Sequence, residues 1–356
     1  MALSEPEAHA PGAQADHGFY PLRVRRVVQE TADASSFVLE VPAEVAPLFS
    51  YEAGQFCNFR IQIDDQQVVR CYSMSSSPEV DAELQVTVKR VPGGSVSNWM
   101  NDRLAPGDTV EVGRPAGLFR LASGTGDLVA FSAGSGITPV FSLLKTALST
   151  TTRKIRLVYA NRDRDSVIFL REIEALRAEY PDRFELTHHL DVDHGFIGPD
   201  SVRSVLGGAG TEFYVCGPEP FMEIVETTLL GDGVGAERIH TERFTPERFS
   251  PEPEPPPPFA STADTVVTIE LDGRTETADY QVGTTILQTA RQMGMSPPFS
   301  CEAGSCATCM ARVIEGTAKM HANNALTEDE VDEGWVLTCQ ALPTSPLVHV
   351  AYGYEE

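Results

Sequence analysis

The sequence predicts three folded units in series: an antiparallel β-barrel, an α/β unit built on a parallel sheet, and a smaller α+β unit. Three observations carry this. Six prolines stand among the eight residues from Pro251 to Pro258, a density that excludes helix and sheet and favours extended polyproline II. The texture before that run changes near residue 120, from short alternating segments to apolar strands that alternate with helical stretches. After it, four cysteines, Cys301, Cys306, Cys309 and Cys339, follow a C-x4-C-x2-C spacing with one distant member. At 356 residues the chain is long for one core and suits two or three.

The expected divisions are a flexible tail over 1–17, the barrel over 18–120, the α/β unit over 121–248, a proline-rich linker over 249–261 and the last unit over 262–356. The tail mixes Ala, Pro, His and acids without the basic and apolar regions of a signal peptide. The stretch from Leu128 to Leu144 is too short and too broken by Gly134, Gly136 and Pro139 to span a bilayer. With seven cysteines and no secretory feature, the expected compartment is the cytoplasm. The net charge of −24 disfavours nucleic acid and anionic membranes as partners and favours a basic protein surface.

In the barrel, alternation marks strands at Leu22 to Val28, Phe37 to Val41, Phe56 to Ile61 and Leu84 to Val88. In the α/β unit, strands are expected at Leu128 to Ser132, Ile155 to Tyr159, Phe184 to His188 and Phe213 to Cys216, with helices at Ile173 to Tyr180 and Phe221 to Leu230, the pattern of βαβ units. The linker has a reach of roughly 25 Å at roughly 3.1 Å per residue. Beyond it, Thr265 to Leu271 and the Asp272-Gly273 turn begin a hairpin, and a helix over Thr285 to Met293 leads into the cysteine loop.

That loop carries the most specific signal. Three thiolates on one tight segment, with the small residues Ala303, Gly304, Ser305 and Ala307 between them, can wrap a 2Fe-2S cluster and turn backbone amides toward its sulfurs. A four-thiolate zinc site is the alternative, although it usually takes two C-x2-C knuckles. The unit resembles a plant-type ferredoxin, a resemblance that implies a β-grasp fold. It holds 14 Asp and Glu against 4 Lys and Arg, five of the acids in Glu328 to Glu333. An acidic run is ordinarily a solvated face, and here it is also a candidate docking face.

In the barrel, Arg70-Cys71-Tyr72-Ser73 places a cation, an aromatic ring and a hydroxyl where a flavin needs them: Arg70 for the pyrophosphate, Tyr72 for packing on the ring, and Ser73 near N5. Val88-Lys89-Arg90 follows. The loop Gly94-Ser95-Val96-Ser97 then opens a helix whose N-terminal amides suit a pyrophosphate. Gly134-Ser135-Gly136, with Thr138 and Pro139, lies between a strand and a helix as a dinucleotide turn does, although Pro139 stands where a third glycine is usual. Cys216-Gly217-Pro218 ends another strand at the same sheet edge and presents a thiol there.

This ordered set resembles the ferredoxin-NADP reductase superfamily over 18–248. With the last unit, the whole chain resembles reductase components of bacterial oxygenases, the 3-ketosteroid 9α-hydroxylase and phenylacetyl-CoA epoxidase reductases in particular. Tyr159 to Phe169 and His240 to Phe244 carry that likeness. The resemblance implies electron flow from NAD(P)H through FAD and a 2Fe-2S cluster to a terminal oxygenase, with Glu242 and Phe244 beside the flavin and Ser73, Cys216 and Glu242 as catalytic groups. FMN replaces FAD in a related group with the same domain order. Arg162 and Arg164 are placed to take a 2′-phosphate, but Asp163 and Asp165 oppose it, which favours NADH. His188-His189 reads as the end of a strand, and no 2-His-1-carboxylate set is evident, so substrate oxidation is expected on another protein. Two other readings stay open: a stand-alone diaphorase or redox sensor, and a non-enzymatic iron-sulfur or zinc scaffold.

Overall fold

The computed structural model describes residues 19–63, 66–244, 265–271, 273–295, 297–299, 302, 304, 306–323 and 325–353. The expected tail, the proline-rich linker, Asp272, Cys301, Ala303 and Ser305 lie outside them.

Six antiparallel strands form the first sheet: β1 (Phe19–Thr31), β2 (Ala34–Glu40), β3 (Phe56–Ile63), β4 (Gln66–Ser73), β5 (Leu84–Lys89) and β6 (Thr109–Gly113). Their order is β4-β3-β6-β1-β2-β5. The outer members β4 and β5 meet where Met74 bridges Val86 and the Ser75 amide donates to the Gln85 carbonyl at 2.8 Å, which closes the barrel. Inward residues of successive strands, among them Leu22, Val24, Phe37, Cys57, Phe59, Val86 and Val112, fill it. Helix α1 (Val96–Arg103) lies on the barrel and buries Val96 and Met100 in the same core. The expected strands are all present. Strand β6 was not anticipated, because Thr109-Val-Glu-Val-Gly113 is a five-residue alternation set among glycines and prolines.

The second sheet is parallel, in the order β11-β10-β7-β8-β9, from β7 (Leu128–Ala133), β8 (Ile155–Asn161), β9 (Phe184–Leu190), β10 (Glu212–Cys216) and β11 (Ile239–Glu242). Crossovers run through α2 (Ile137–Thr150), α3 (Leu170–Glu179), two short helices α4 (Asp191–His194) and α5 (Pro199–Arg203), and α6 (Glu219–Gly231). One core, with Val140, Leu144 and Tyr159, covers one face and another, with Phe131, Val215 and Met222, covers the other, as a parallel sheet requires.

The third sheet has the order β13-β12-β18-β14-β16. It comprises β12 (Val266–Leu271), β13 (Arg274–Asp279), β14 (Met310–Glu315), β16 (Trp335–Leu337) and β18 (Leu347–Ala351), with β15 (Ala318–Met320) paired to β17 (Ala341–Pro343) beside it. Helix α7 (Ile286–Gln292) packs Ile286 and Ala290 onto this sheet. A reciprocal capping box between Thr285 and Gln288 fixes its start. The acidic run forms the one-turn helix α8 (Glu328–Asp332) with no buried residue. Among the described residues, no helix is long and apolar enough to cross a membrane.

Candidate functional site

The site is built on the ends of β4, β7, β10 and β11, the turn before α1 and the cysteine loop. On β4, Arg70 to Ser73 pair with Phe59 to Phe56 of β3. Tyr72 sits edge-on to Phe59 with ring centroids 5.5 Å apart, Ser73 is buried, and the Arg70 guanidinium donates to its neighbour's carbonyl, Val69 O, at 2.7 Å. Three buried serines continue the chain: Ser75 bonds within the barrel to Thr87, while Ser76 and Ser77 fasten the barrel to α2. Ser142 Oγ donates to Ser76 O at 2.5 Å, and the Ser77 and Thr146 hydroxyls lie 2.7 Å apart. Tyr51 adds a 2.7 Å hydroxyl contact to Ser76. Sequence reasoning passed over this seam; four serines in the five residues after Tyr72 were its only signal.

The Gly93 to Ser97 turn folds as expected. Gly93 has φ 72° and Ser95 occupies the N-cap position of α1 without a side-chain capping bond, while the Ser97 hydroxyl accepts from Val91 N at 3.2 Å. Gly94, Val96 and Ser97 are buried and Ser95 is exposed. Val88 and Val96 point into the barrel core. Arg90 is engaged with Asp102 at 2.7 Å, and Lys89 is paired with Asp33 at 3.7 Å while its ammonium lies 3.7 Å from where a Cβ on Gly134 would be.

At the carboxyl edge of the parallel sheet, the turns after β7 and β10 interlock. Gly134 has φ 53°, and its carbonyl accepts from the Tyr159 hydroxyl at 3.0 Å. A Cβ on Gly136 would lie 2.1 Å from Cys216 O, so this position is fixed as glycine by close approach. The Ser135 carbonyl accepts from Thr138 Oγ1 at 3.0 Å. Pro139 is the third residue of α2, in the first turn, where no intrahelical N–H bond is lost. Cys216 aligns with Ser132 on one side and Glu242 on the other. Part of Glu242 stays exposed, but its carboxyl is enclosed, and that burial pushes it up to about 8. Burial, reinforced by Glu242, also raises the Cys216 thiol well above its usual range. Phe244 is exposed just beyond β11. Arg162 is exposed and tied to Asp163 at 2.9 Å.

The cysteine loop folds tightly. Glu302, Gly304 and Ala307 have φ of 48°, 75° and 52°, left-handed conformations that two of these residues adopt only under constraint. The constraint is visible: Arg291 of α7 reaches both Glu302 oxygens at 3.0 and 3.3 Å, and Gln340 Nε2 donates to Glu302 O at 2.7 Å. Thr338 donates to Cys309 O from its amide at 3.1 Å and from its hydroxyl at 2.8 Å. Cys306, Cys309 and Cys339 are buried together. The Cys309 thiol is pushed well up by its hydrogen bond with Cys339, by burial, and by the nearness of Cys339 and Cys306. Sulfurs so crowded in a dry site suit a group that binds them as thiolates. Among the described residues, no three His, Cys, Asp or Glu side chains close around a single-ion site. Cys301, the fourth expected sulfur, lies outside those residues.

The loop lies against the barrel. Asn58 of β3 donates from Nδ2 to Cys306 O at 3.2 Å, and its Oδ1 accepts from Thr308 Oγ1 at 2.9 Å and from Cys71 Sγ at 3.2 Å. Ala116, which bridges Phe56, packs on the same cysteine core.

Family models agree with this division of labour. A model described as an oxidoreductase FAD-binding domain matches residues 21–121, an oxidoreductase NAD-binding domain matches 131–227, and a 2Fe-2S iron-sulfur cluster binding domain matches 269–344. The ferredoxin reductase component of the 3-ketosteroid-9-alpha-monooxygenase of Rhodococcus rhodochrous is 38% identical over 337 residues, covering 93% of this chain and 96% of that protein. A component of the 1,2-phenylacetyl-CoA epoxidase of Escherichia coli is 33% identical, with 93% and 97% covered. Phthalate dioxygenase reductase shares the fold with a TM-score of 0.60 at 24% identity, with 94% and 98% covered. The chain belongs to the family of NAD(P)H-dependent reductase components of oxygenase systems that carry FAD and a 2Fe-2S cluster.

Proposed function

We propose that this reductase takes electrons from NADH and delivers them, through FAD under Tyr72 and Ser73 and a cluster on Cys301, Cys306, Cys309 and Cys339, to a terminal oxygenase that docks near the acidic face of the last unit. One observation supports this order most directly. The segment that continues strand β4 is held to the nucleotide unit through Ser76 and Ser142, and β4 itself is hydrogen-bonded across β3 to the cysteine loop through Cys71 and Asn58. Held along this line, a nicotinamide, a flavin and a 2Fe-2S cluster would supply hydride transfer followed by one-electron transfer.

The protein's own residues do the rest. Arg70, Lys89 and the amides of Gly94 to Ser97 attract the flavin pyrophosphate, with Arg90 held back by Asp102. The Gly134 to Gly136 turn, with Thr138 at the start of α2, receives the nucleotide phosphates. Cys216, Gly217 and Pro218 wall the nicotinamide end, where the Cys216 thiol stays neutral, and Glu242 keeps its proton at neutral pH and can donate a hydrogen bond. Phe244 covers the flavin ring from the other side. Arg162 is neutralised by Asp163, which favours NADH over NADPH. Functional divisions at 18–120, 121–248 and 262–356 follow the three sheets, and a reducing, cytoplasmic setting suits the thiolate set. The named relatives serve oxygenases with different substrates. What they share with this chain is therefore the supply of electrons.

Replacing one cluster ligand tests the electron order. In Cys306→Ser, reduction of a one-electron protein acceptor falls by about tenfold or more relative to reduction of ferricyanide, which takes electrons from the flavin. Equal loss of both would overturn the order.

A further inference from the structure

We propose that Asn58 is the positioning residue that registers the cysteine loop against the flavin strand, and so sets how fast an electron leaves the flavin for the cluster. The proposal rests on Arg70 to Ser73 being the flavin strand.

The argument starts from period 2. On β3, Cys57, Phe59 and Ile61 point into the barrel core, so Asn58 between them points outward. An outward asparagine on a barrel strand is ordinarily wet, yet Asn58 is only 7% exposed. Its cover is the cysteine loop, which reaches it through Cys306 and Thr308.

The chemistry of the pocket selects a carboxamide. Cys306 offers a carbonyl, which can only accept; Thr308 and Cys71 offer hydrogens. One group must therefore donate on one side and accept twice on the other, and Asn does both with one planar amide. Aspartate has the same shape but turns an oxygen toward the Cys306 carbonyl and buries a negative charge beside the cluster ligands. Leucine leaves all three partners without an acceptor or donor.

The connectivity is what gives the contact a function. Cys71 stands opposite Asn58 on β4, between Arg70 and Tyr72. The residues on either side of the Asn58 amide are thus a cluster ligand, Cys306, and the middle of the flavin motif. A shift of this one side chain changes the separation of the two redox groups without touching either. The two-electron-reduced flavin gives up one electron and the oxidised cluster gains it; NADH has already supplied the pair.

The test is anaerobic rapid mixing of the FAD- and cluster-loaded chain with NADH, following flavin and cluster absorbance separately. In Asn58→Asp the ratio of cluster-phase to flavin-phase rate falls about tenfold or more. Alkylation of Cys71 by iodoacetamide, a readout independent of turnover, speeds up because the amide and the loop no longer cover the thiol. Thr308→Val, which breaks the contact from the other side, lowers the ratio less, and the double variant is no worse than Asn58→Asp alone because the two share one interaction. If Asn58→Asp does not fold, Thr308→Val decides. A wild-type ratio with unchanged Cys71 alkylation in the variants that fold overturns the proposal. The underlying flavin-strand reading fails separately, if Arg70→Ala binds FAD as tightly as the wild type.

Discussion

Glu242 ends β11 in register with Cys216, and burial favours the protonated form of its carboxyl. Its ordinary value is 4.5 and burial raises it to about 8. Between these values the unfolded chain has lost the proton and the folded chain retains it, so folding takes up a proton there. The stability Glu242 contributes is complete below about 4.5 and is lost as pH rises through about 8. Glu242→Gln, neutral throughout, should lose less melting temperature than the wild type between about pH 5 and about pH 8. Equal slopes would show that the carboxyl is already ionised at neutral pH. Residues with a motif around them were legible in the sequence: Arg70 to Ser73, the paired glycines and the cysteine spacing. Asn58 was not, since a single polar residue in Phe56-Cys-Asn-Phe59 looks like any outward strand position until the loop that covers it is known. The engagement of Arg90 by Asp102 was equally hidden, because nothing local marks the partner.

At the scale of elements, the turn after β7 and the turn after β10 depend on one another. A methyl on Gly136 meets Cys216 O at 2.1 Å, and a methyl on Gly217 meets the Phe221 ring at 2.8 Å and Ala133 at 3.0 Å. Gly136→Ala should therefore push the two turns apart and weaken NADH binding by about tenfold or more, a misplacement of the kind that costs orders of magnitude. Gly124→Ala, where nothing lies within 4 Å, is the control. Titration of the oxidised protein with NAD+ measures both. The βαβ texture made these strands and helices readable to within a few residues, because buried parallel strands are continuous apolar runs. Pro139 looked like a departure from the dinucleotide pattern, but the first turn of α2 has no N–H bond for it to break. Strand β6 was missed for the opposite reason, being short and half polar.

For the whole molecule, a net charge of −24 acts at long range. If the oxygenase presents a basic face to α8 and its surroundings, the rate constant for oxygenase reduction at low oxygenase concentration should fall several-fold as ionic strength rises from about 0.05 to about 0.5 M, because the Debye length shrinks below the spacing of surface charges. Internal cluster reduction after mixing with NADH should change far less, and equal sensitivity would argue against electrostatic docking. The order of the three units was legible from motifs and the proline run. Their mutual seating was not, because it depends on residues as far apart as Asn58 and Thr308, 250 positions along the chain.

The clasp at Asn58 is small. Two hydrogen bonds to the loop, each worth about 0.5–1.5 kcal/mol net, would leave two separate proteins almost wholly dissociated at cellular concentrations. Here residues 245–264 join the partners covalently, and a tether of this kind sets an effective concentration on the order of millimolar. At that concentration two such bonds alone, about 1–3 kcal/mol and so a Kd of about 6 mM or weaker, keep the units together for only a minor part of the time and are quickly undone. The last unit can therefore behave as a shuttle that loads at the barrel and discharges at the oxygenase. Strengthening the clasp would speed loading and, past some affinity, slow discharge.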